Sequence, residues 1–326
     1  ASVTQIDVSM RGIQNLKGIE LFGALKELNC SNNQLSELDV SHNTELERLY
    51  CSYNNLQQLS LENNTNLISL SSSFNRISSL DVSNKPRLKT LNSQMNPMTQ
   101  LNLTGSTALE WIIVANNALT DLDLSTNVEL HYVNLFDNRL TSLNVDTLSN
   151  LDFLNVGSNH LTKLDLSQNK NLNAYGGFFA TDIYLEEFTL PDQENVTIEF
   201  DRYAEQTPIT GYENVAWYLD EGFTQPVTGD LSAEGQTIYA KRIANSYQIY
   251  FSSNYGNGEM PAVSASYDTE LSLPAVTFTR YGHTFYQWDT MPQGGGDVYS
   301  DQETVRNLSG KWDGARITLY AQWKPN

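Results

Sequence analysis

The sequence predicts a solenoid of stacked parallel β-strands in its first half, followed by two small β-rich modules. Three observations carry this prediction. Leucine recurs every 21 residues from Leu25 to Leu172, this period is lost after Tyr175, and two later segments, which begin at Trp217 and Phe285, resemble each other. With 326 residues, of which 40% are hydrophobic and 17% charged, the chain has the composition of a globular protein and not of a disordered one.

Rows of 21 residues align the first half of the chain without a gap. In the row that begins at Leu25, apolar residues stand at positions 1, 4, 6, 11, 14 and 16. A fixed period of this kind is typical of a repeat protein, in which each repeat is one structural unit stacked on the next. The pattern resembles the leucine-rich repeat, in its short bacterial form whose two halves both read L-x-x-L-x-L. Counting one earlier repeat in the same register, roughly eight repeats and a partial one are predicted over residues 1–177.

The spacing also predicts which positions face inward. Side chains alternate along a strand, so positions 4 and 6 point into the core and position 5 points out, and strands of successive repeats stack about 4.8 Å apart in a curved solenoid. Position 9 holds a column of asparagines, whose amides can pair with backbone groups left free where the chain turns. We therefore predict a structural role for the members of this column, which are Asn33, Asn54, Asn75, Asn96, Asn117, Asn138 and Asn159.

The two cysteines, Cys30 and Cys51, both occupy position 6 of consecutive repeats. We expect them to point into the core as small hydrophobic groups. A disulfide or a metal site is disfavoured, because stacked parallel strands seldom give good bridge geometry and no further ligands cluster with them.

After Tyr175 the sequence changes to alternating apolar residues, which indicate β-strands. The open end of the solenoid needs a cover, since an exposed sheet edge invites pairing with another chain. Residues 178–244 are predicted to hold this cap and a degenerate β module, and residues 245–326 a second module. The apolar residues available for the cap are Phe178, Phe179, Ile183, Tyr184 and Leu185.

The second module carries a dense set of motifs. They are an F-x-x-N-x-G opening at Phe251, an L-P pair at Leu273, a Y-G-H-T-F-x-x-W core at Tyr281 and a closing L-Y-A-Q-W at Leu319. This set closely resembles the Listeria-Bacteroides repeat, also called the internalin B-repeat. The resemblance implies a small β-grasp-like module of secreted or surface proteins of bacteria, without catalytic residues. Together with the leucine-rich repeats, it makes the chain similar to an internalin-type surface protein, with the signal and anchor expected outside these residues.

Charge and hydropathy exclude several classes of function. The net charge of −19 repels nucleic acids and anionic membranes, and Arg202 is the one basic residue between Asp182 and Glu234. The longest strongly apolar run, Trp111 to Ala115, is too short to span a bilayer.

We find no pattern that predicts an enzyme, a cofactor or a metal site. The histidines show no metal-ligand spacing, no serine lies in a nucleophile elbow, and no calcium-binding loop is present. Three glycines at 294–296 lack the lysine and helix of a phosphate cradle and predict a turn. Trp217, Trp288 and Trp323 lie in alternating patterns and are predicted to anchor cores.

Large side chains recur at the outward positions 3, 5, 7 and 8 of the repeats. Monomeric proteins seldom expose so contiguous an apolar patch, and binding hot spots are rich in tyrosine, tryptophan and arginine. We predict a partner-binding surface on the concave face; the alternative is that the side chains only stack to stabilise the sheet. The candidate residues are Arg48, Tyr50, Tyr53, Phe74, Met95, Trp111, Ile113, Tyr132, Phe136 and Phe153.

Three functions are compatible with this surface. The leading one is recognition of a protein, expected to be an extracellular host protein, because the patch mixes aromatic and aliphatic groups. The second is carbohydrate binding, in which Tyr50, Trp111 and Tyr132 would stack on sugar rings. Amides for hydrogen bonds to such sugars would come from Asn29, Asn92, Asn134 and Asn155. The third is a purely structural stalk.

Overall fold

The protein is described by a computed structural model. The residues it describes are 2–172, 177–180, 185–190, 192–198, 214–228, 231–234, 236–309 and 312–326. Contacts between residues group the chain into two units, one of residues 1–207 with 217–240 and one of residues 208–216 with 241–326. The division into three parts at residues 177 and 244 stays a prediction.

Short strands dominate both units. Among the described residues, a 3-10 helix spans Ile19–Leu21. In chain order the strands are β1 (Gln5–Asp7), β2 (Glu27–Asn29), β3 (Arg48–Tyr50), β4 (Ser69–Ser71), β5 (Ser79–Asp81), β6 (Thr90–Asn92), β7 (Gln100–Asn102), β8 (Trp111–Ile113), β9 (Tyr132–Asn134), β10 (Phe153–Asn155), β11 (Lys163–Asp165), β12 (Phe178–Phe179), β13 (Glu187–Thr189), β14 (Asp192–Ile198), β15 (Asn214–Tyr218), β16 (Leu231–Glu234), β17 (Thr237–Ile243), β18 (Ser246–Ser252), β19 (Val263–Ser266), β20 (Leu271–Ser272), β21 (His283–Asp289), β22 (Val298–Tyr299), β23 (Thr304–Val305) and β24 (Ala315–Pro325).

The first unit is a leucine-rich repeat solenoid, as predicted. Within the described residues, nine parallel strands form one sheet in the order β1-β2-β3-β4-β6-β8-β9-β10-β12. Neighbouring strands pair in the register of the 21-residue period, so that Leu28 lies opposite Leu49. The other half of the repeat contributes the parallel pairs β5–β7 and β11–β13.

The middle residue of each repeat strand points into the core. Because position 4 alternates with two outward neighbours, it is at most 1% exposed in seven successive repeats: Leu28, Leu49, Leu70, Leu91, Ile112, Val133 and Leu154. Position 6 is equally buried, which confirms the prediction for Cys30 and Cys51; both are free thiols. Burial raises the pKa of Cys30 to about 12, so this thiol stays protonated and unreactive at neutral pH.

The position 9 asparagines form a ladder of hydrogen bonds through the solenoid. In Asn75, Oδ1 accepts the backbone N–H of Leu56 (3.0 Å), and Nδ2 donates to the carbonyls of Cys51 (3.0 Å) and Ser72 (3.1 Å). The side chain thus joins two successive turns and satisfies buried backbone groups of both. The structural role predicted for this column is confirmed.

A second, less complete ladder runs along position 19. Asn64 donates from Nδ2 to the carbonyls of Val40 and Asn43, both at 3.0 Å, but its buried Oδ1 has no partner among the described residues. Lys85 takes this position one repeat later. It is almost fully buried, donates to the carbonyl of Ser83 (3.1 Å), and has a pKa lowered by burial.

The end of the solenoid is covered in part by the residues predicted for the cap. Phe178 extends the sheet by pairing with Leu154, and both Phe178 and Leu185 are buried. Strand β13 then pairs in parallel with β11 and, through Phe188 and its opposite Ile238, in antiparallel with β17. The other two predicted cap residues, Ile183 and Tyr184, lie outside the described residues.

The second unit is β-rich, as predicted. Its main sheet has the order β19-β18-β24-β21-β22, in which β18 and β24, the first and last strands of the module, are parallel neighbours. Trp288 lies at the centre of the core, fully buried, with ring centroids of Phe251 and Phe285 within 5.1 Å and 5.0 Å. Trp217 of the first unit is also buried, whereas Trp323 is half-buried.

The opening and closing motifs of the module meet in space. Asn254 donates from Nδ2 to the carbonyl of Ala321 (3.0 Å), and the indole of Trp323 donates to the carbonyl of Ser253 (2.9 Å). A Cβ added to Gly256 would lie 2.7 Å from the Trp323 ring and 2.9 Å from the carbonyl oxygen of Thr279. The motif therefore has glycine where the two chain segments approach most closely.

The three glycines at 294–296 form a turn, as predicted. The buried carboxylate of Asp289 accepts the backbone N–H groups of Met291 (2.7 Å), Gly295 (3.1 Å) and Gly296 (3.1 Å). Gly294 and Gly295 have φ of 81° and 93°, values that glycine adopts at little cost. The glycine turn thus encloses a carboxylate of this same chain.

Candidate functional site

All ten residues predicted to bind a partner have accessible surface in the structure. We call the surface at positions 3, 5, 7 and 8 of the repeats the strand face. Tyr53, Met95 and Trp111 are 50%, 43% and 45% exposed. The others are half-buried: Arg48, Tyr50, Phe74, Ile113, Tyr132, Phe136 and Phe153. Their contacts divide them into separate groups.

The first group is a stack of aromatic rings along position 3, which we call the aromatic ladder. Trp111 stacks on Tyr132 with centroids 4.1 Å apart, and Tyr132 stacks on Phe153 at 4.0 Å with planes only 3° apart. Parallel pairing in register places these side chains on neighbouring strands. Both ring faces of Tyr132 are therefore covered, and Trp111 is the exposed end of the stack.

Phe179 continues the aromatic ladder with its centroid 5.5 Å from Phe153. The sequence predicted Phe179 for the cap and not for the site. It lies beyond the last repeat in register, so no period assigns it to position 3. Its pairing opposite Asn155 in the sheet and its 41% exposure place it on the strand face as well.

The second group lies along position 8, where the backbone is left-handed. In seven successive repeats φ lies between 52° and 57°, at Asn32, Tyr53, Phe74, Met95, Asn116, Asp137 and Ser158. Asparagine and aspartate tolerate this conformation, whereas bulky residues adopt it at a cost. Tyr53 and Phe74 stack with centroids 4.3 Å apart. Tyr53, Phe74 and Met95 therefore carry a backbone cost at this position that asparagine would largely avoid.

Met95 allows the free-energy cost of the left-handed backbone to be measured, because a substitution there removes no stacked ring. We expect Met95→Asn to raise the free energy of unfolding by about 1 kcal/mol, because asparagine relieves the left-handed strain and the methionine is exposed. The reverse change in the next repeat, Asn116→Met, should lower it by a similar amount. Urea denaturation of both variants checks the pair, and a destabilised Met95→Asn variant would contradict the strain argument.

Between Tyr53, Phe74 and the strands lies a cavity of about 400 Å³, which we call the polar depression. Serine and asparagine side chains line it together with Tyr50, a residue for which the sequence predicts either protein or sugar contacts. The lining residues are Ser9, Met10, Asn29, Ser31, Asn32, Tyr50, Ser52, Tyr53, Ser71, Ser73, Phe74, Asn92 and Gln94.

The remaining predicted residues lie outside these two groups. Arg48 forms long ion pairs with Glu27 (3.8 Å) and Glu47 (4.0 Å), so its charge is already compensated within the solenoid. Such exposed pairs contribute little to stability. Ile113 at position 5 and Phe136 at position 7 are half-buried. Each follows a residue of the aromatic ladder within the same repeat.

The described residues contain no group of three histidine, cysteine, aspartate or glutamate side chains that could hold a metal ion. His131 comes within 3.8 Å of Asp152, but both are half or more exposed. In the described part of the chain no helix has the length and apolarity needed to cross a membrane.

Comparison with known proteins identifies one part of the chain by family. Residues 247–322 match the model of the Listeria-Bacteroides repeat domain. The chain therefore joins a leucine-rich repeat solenoid to a Listeria-Bacteroides repeat, the internalin-like combination that the motifs predicted. The family match does not extend to the degenerate module proposed before it, which stays a prediction.

Two curated relatives come from Evansella cellulosilytica. One, named "Putative membrane protein", is 35% identical over 121 residues, which is 36% of this chain and 18% of the relative. The other, named "Putative Gly-rich membrane protein", is 33% identical over 99 residues, or 29% of this chain and 11% of the relative. The chain thus matches less than a fifth of the length of either.

Solved structures similar to this chain are leucine-rich repeat proteins. The functional domain of InlJ from Listeria monocytogenes, which includes a cysteine ladder, is 30% identical with a TM-score of 0.45 and covers 56% of this chain and 44% of that one. Leptospira interrogans LIC12759 is 22% identical with a TM-score of 0.44, covering 54% and 51%. Internalin C2 of Listeria monocytogenes is 20% identical with a TM-score of 0.40, covering 55% and 80%.

Proposed function

We propose that this chain is a non-enzymatic recognition protein, secreted or held at a bacterial cell surface, whose solenoid binds an extracellular host protein through the strand face. The observation that carries the proposal is the aromatic ladder, which ends in the exposed indole of Trp111. Tryptophan and tyrosine that are partly exposed in a well-packed surface are the side chains most enriched in binding hot spots. The family of the second module and the names of the relatives support a surface location.

Sheet stabilisation alone accounts for only part of this surface. Tyr132 and Phe153 cover each other and would be explained by cross-strand packing. Trp111 is 45% exposed and Tyr53, in a strained conformation, 50% exposed, so neither is placed where it buries the most area. Binding to a partner would bury both side chains, which favours recognition over a structural stalk.

Carbohydrate binding by stacking on Tyr132 is disfavoured by the geometry. Trp111 and Phe153 lie 4.1 Å and 4.0 Å from it on opposite sides, so no sugar ring can reach either face. Trp111 has one ring face outside the stack. A protein partner could use that face together with the apolar edge of the ladder.

The test is a binding screen of the full chain against a panel of host extracellular proteins, with Trp111→Ala/Tyr132→Ala in parallel. We expect a protein that binds the unchanged chain to lose about 100-fold or more in affinity for the double variant, since the exposed indole of Trp111 and the ring that holds it in place are both removed. Val128→Ala is the matched control: Val128 is 41% exposed but lies in the turn that precedes β9.

Two outcomes would contradict the proposal. Binding that is equally strong in the double variant would place the contact away from the aromatic ladder. The structural stalk would be favoured if the chain binds no protein of the panel and the strand-face variants leave every cell-surface phenotype unchanged. Circular dichroism of each variant separates a lost contact from a lost fold.

A further inference from the structure

The polar depression is chemically different from the aromatic ladder. We propose that it is a binding site for a neutral saccharide, held by the amide of Asn92 and the hydroxyl of Tyr50 and stacked on the Tyr53 ring. This inference goes beyond the proposed function, because the lining of the depression does not include the aromatic ladder and the ligand belongs to another class. Either can fail without the other.

The charge of the depression narrows the class of ligand. Each of its lining residues is neutral, although the chain as a whole carries −19. Without a basic side chain in the lining, a phosphate or a carboxylate would find no charge partner; without an acidic one, a cation would find none. A neutral ligand with many hydroxyl groups is the class that such a lining can satisfy.

The polar groups of the wall are held in place by one another. Ser52 and Ser71 share a hydrogen bond of 2.8 Å between their hydroxyls, and the hydroxyl of Ser73 donates to Oδ1 of Asn92 at 2.7 Å. These bonds fix the Asn92 amide with its Oδ1 engaged. Its Nδ2 and the hydroxyl of Tyr50 make no hydrogen bond among the described residues, so they are available as donors to a ligand.

An aromatic platform lies at the same site. Tyr53 and Phe74 stack with planes only 8° apart, and Tyr53 is 50% exposed. The apolar C–H face of a pyranose packs against an aromatic ring while its hydroxyls reach neighbouring amides, a division of roles typical of small-ligand sites. Both rings occupy left-handed positions where asparagine would be less strained, which favours a functional reason for their presence.

The volume fits a short saccharide. At about 400 Å³ the depression lies within the range of roughly 300 to 1,000 Å³ that is usual for small-ligand sites. Its open side would allow a longer chain to continue along the strand face. The ligand could be a free oligosaccharide or a glycan attached to a protein, since both present the same ring and hydroxyl chemistry.

The experiment uses the full chain and two probes: a glycan array with neutral and sialylated members, and saturation-transfer NMR with the neutral disaccharides N,N′-diacetylchitobiose, cellobiose, lactose and maltose. We expect at least one neutral saccharide to bind, and Tyr53→Asn and Asn92→Ala each to weaken it about tenfold or more. Asparagine occupies the equivalent left-handed position as Asn32, so Tyr53→Asn retains the backbone. Trp111→Ala/Tyr132→Ala should bind the saccharide unchanged.

The possible results separate cleanly. Absence of neutral saccharide binding on both the array and the NMR panel would overturn the inference, as would binding that neither Tyr53→Asn nor Asn92→Ala weakens. A preference for sialylated members would also overturn it, because the lining has no charge partner. Enzymatic removal of glycans from a protein that binds the chain distinguishes the two sources. If the treated protein no longer binds at the depression, the ligand is a glycan attached to that protein. If only free saccharides bind at the depression, the ligand is an oligosaccharide.

Discussion

Asn75→Ala should destabilise the solenoid by roughly 3–5 kcal/mol. The substitution leaves the buried N–H of Leu56 without its acceptor. The carbonyls of Cys51 and Ser72 each lose one of two amide donors and keep the other, which comes from Asn54 and Asn96 respectively. A buried N–H left without a partner costs about 1–3 kcal/mol, and each of the two lost bonds to carbonyls that keep another donor costs about 0.5–1.5 kcal/mol. The measurement is hydrogen exchange through a urea titration, which reports the stability of the first unit through amides that keep their hydrogen bonds in the variant, such as that of Cys51.

The matched control is Asn64→Ala in the position 19 ladder. Asn64 donates to two carbonyls, but its buried Oδ1 is already without a partner, so removing the side chain also removes an unfavourable group. We expect a cost of about 1–2 kcal/mol, clearly below that of Asn75→Ala. Equal costs at the two positions would show that the bond from the Leu56 N–H of the preceding turn to Oδ1 of Asn75 contributes nothing.

Trp288→Ala should destabilise the second unit by about 3–5 kcal/mol. The side chain is fully buried, and Phe251, Phe278 and Phe285 surround it with ring centroids at 5.1, 6.0 and 5.0 Å. Alanine leaves a cavity between these rings that the sheet cannot close without moving whole strands. Exchange protection of strands β18 and β24 in urea measures the loss.

Two milder variants test the reason for this effect. The Nε1 of Trp288 is buried without a partner among the described residues, so Trp288→Phe gives up no hydrogen bond and should cost only about 1 kcal/mol. In Trp323→Phe the bond from Nε1 to the carbonyl of Ser253 is lost, which adds a polar cost. If Trp288→Phe were as damaging as Trp288→Ala, shape and not buried area would dominate this core.

Much of the fold could be predicted from the sequence because every repeat of a solenoid has the same local structure. The 21-residue period assigned Leu49 and Cys51 to the core, Asn75 to the buried ladder and Trp111 to the outer surface, since alternation along a strand fixes the side on which a residue lies. The motifs of the second module identified it for a different reason: residues of its first and last motifs contact each other in space, as Asn254 and Ala321 do, so the motifs occur together.

Only the tertiary structure decided how the outward residues are arranged. The sequence predicted ten residues on one surface. Whether two of them stack depends on the strand register and on which side-chain rotamers the neighbouring residues allow. Thus Tyr132 is enclosed between Trp111 and Phe153, while Tyr53 and Phe74 border a separate polar depression. The 21-residue period also could not predict the left-handed backbone at position 8, because hydrogen bonds between turns impose this conformation. One of these bonds runs from the Tyr53 N–H to the carbonyl of Ser73 (2.9 Å). Periodicity determines which side of a strand a residue occupies; contacts between turns determine what it can bind.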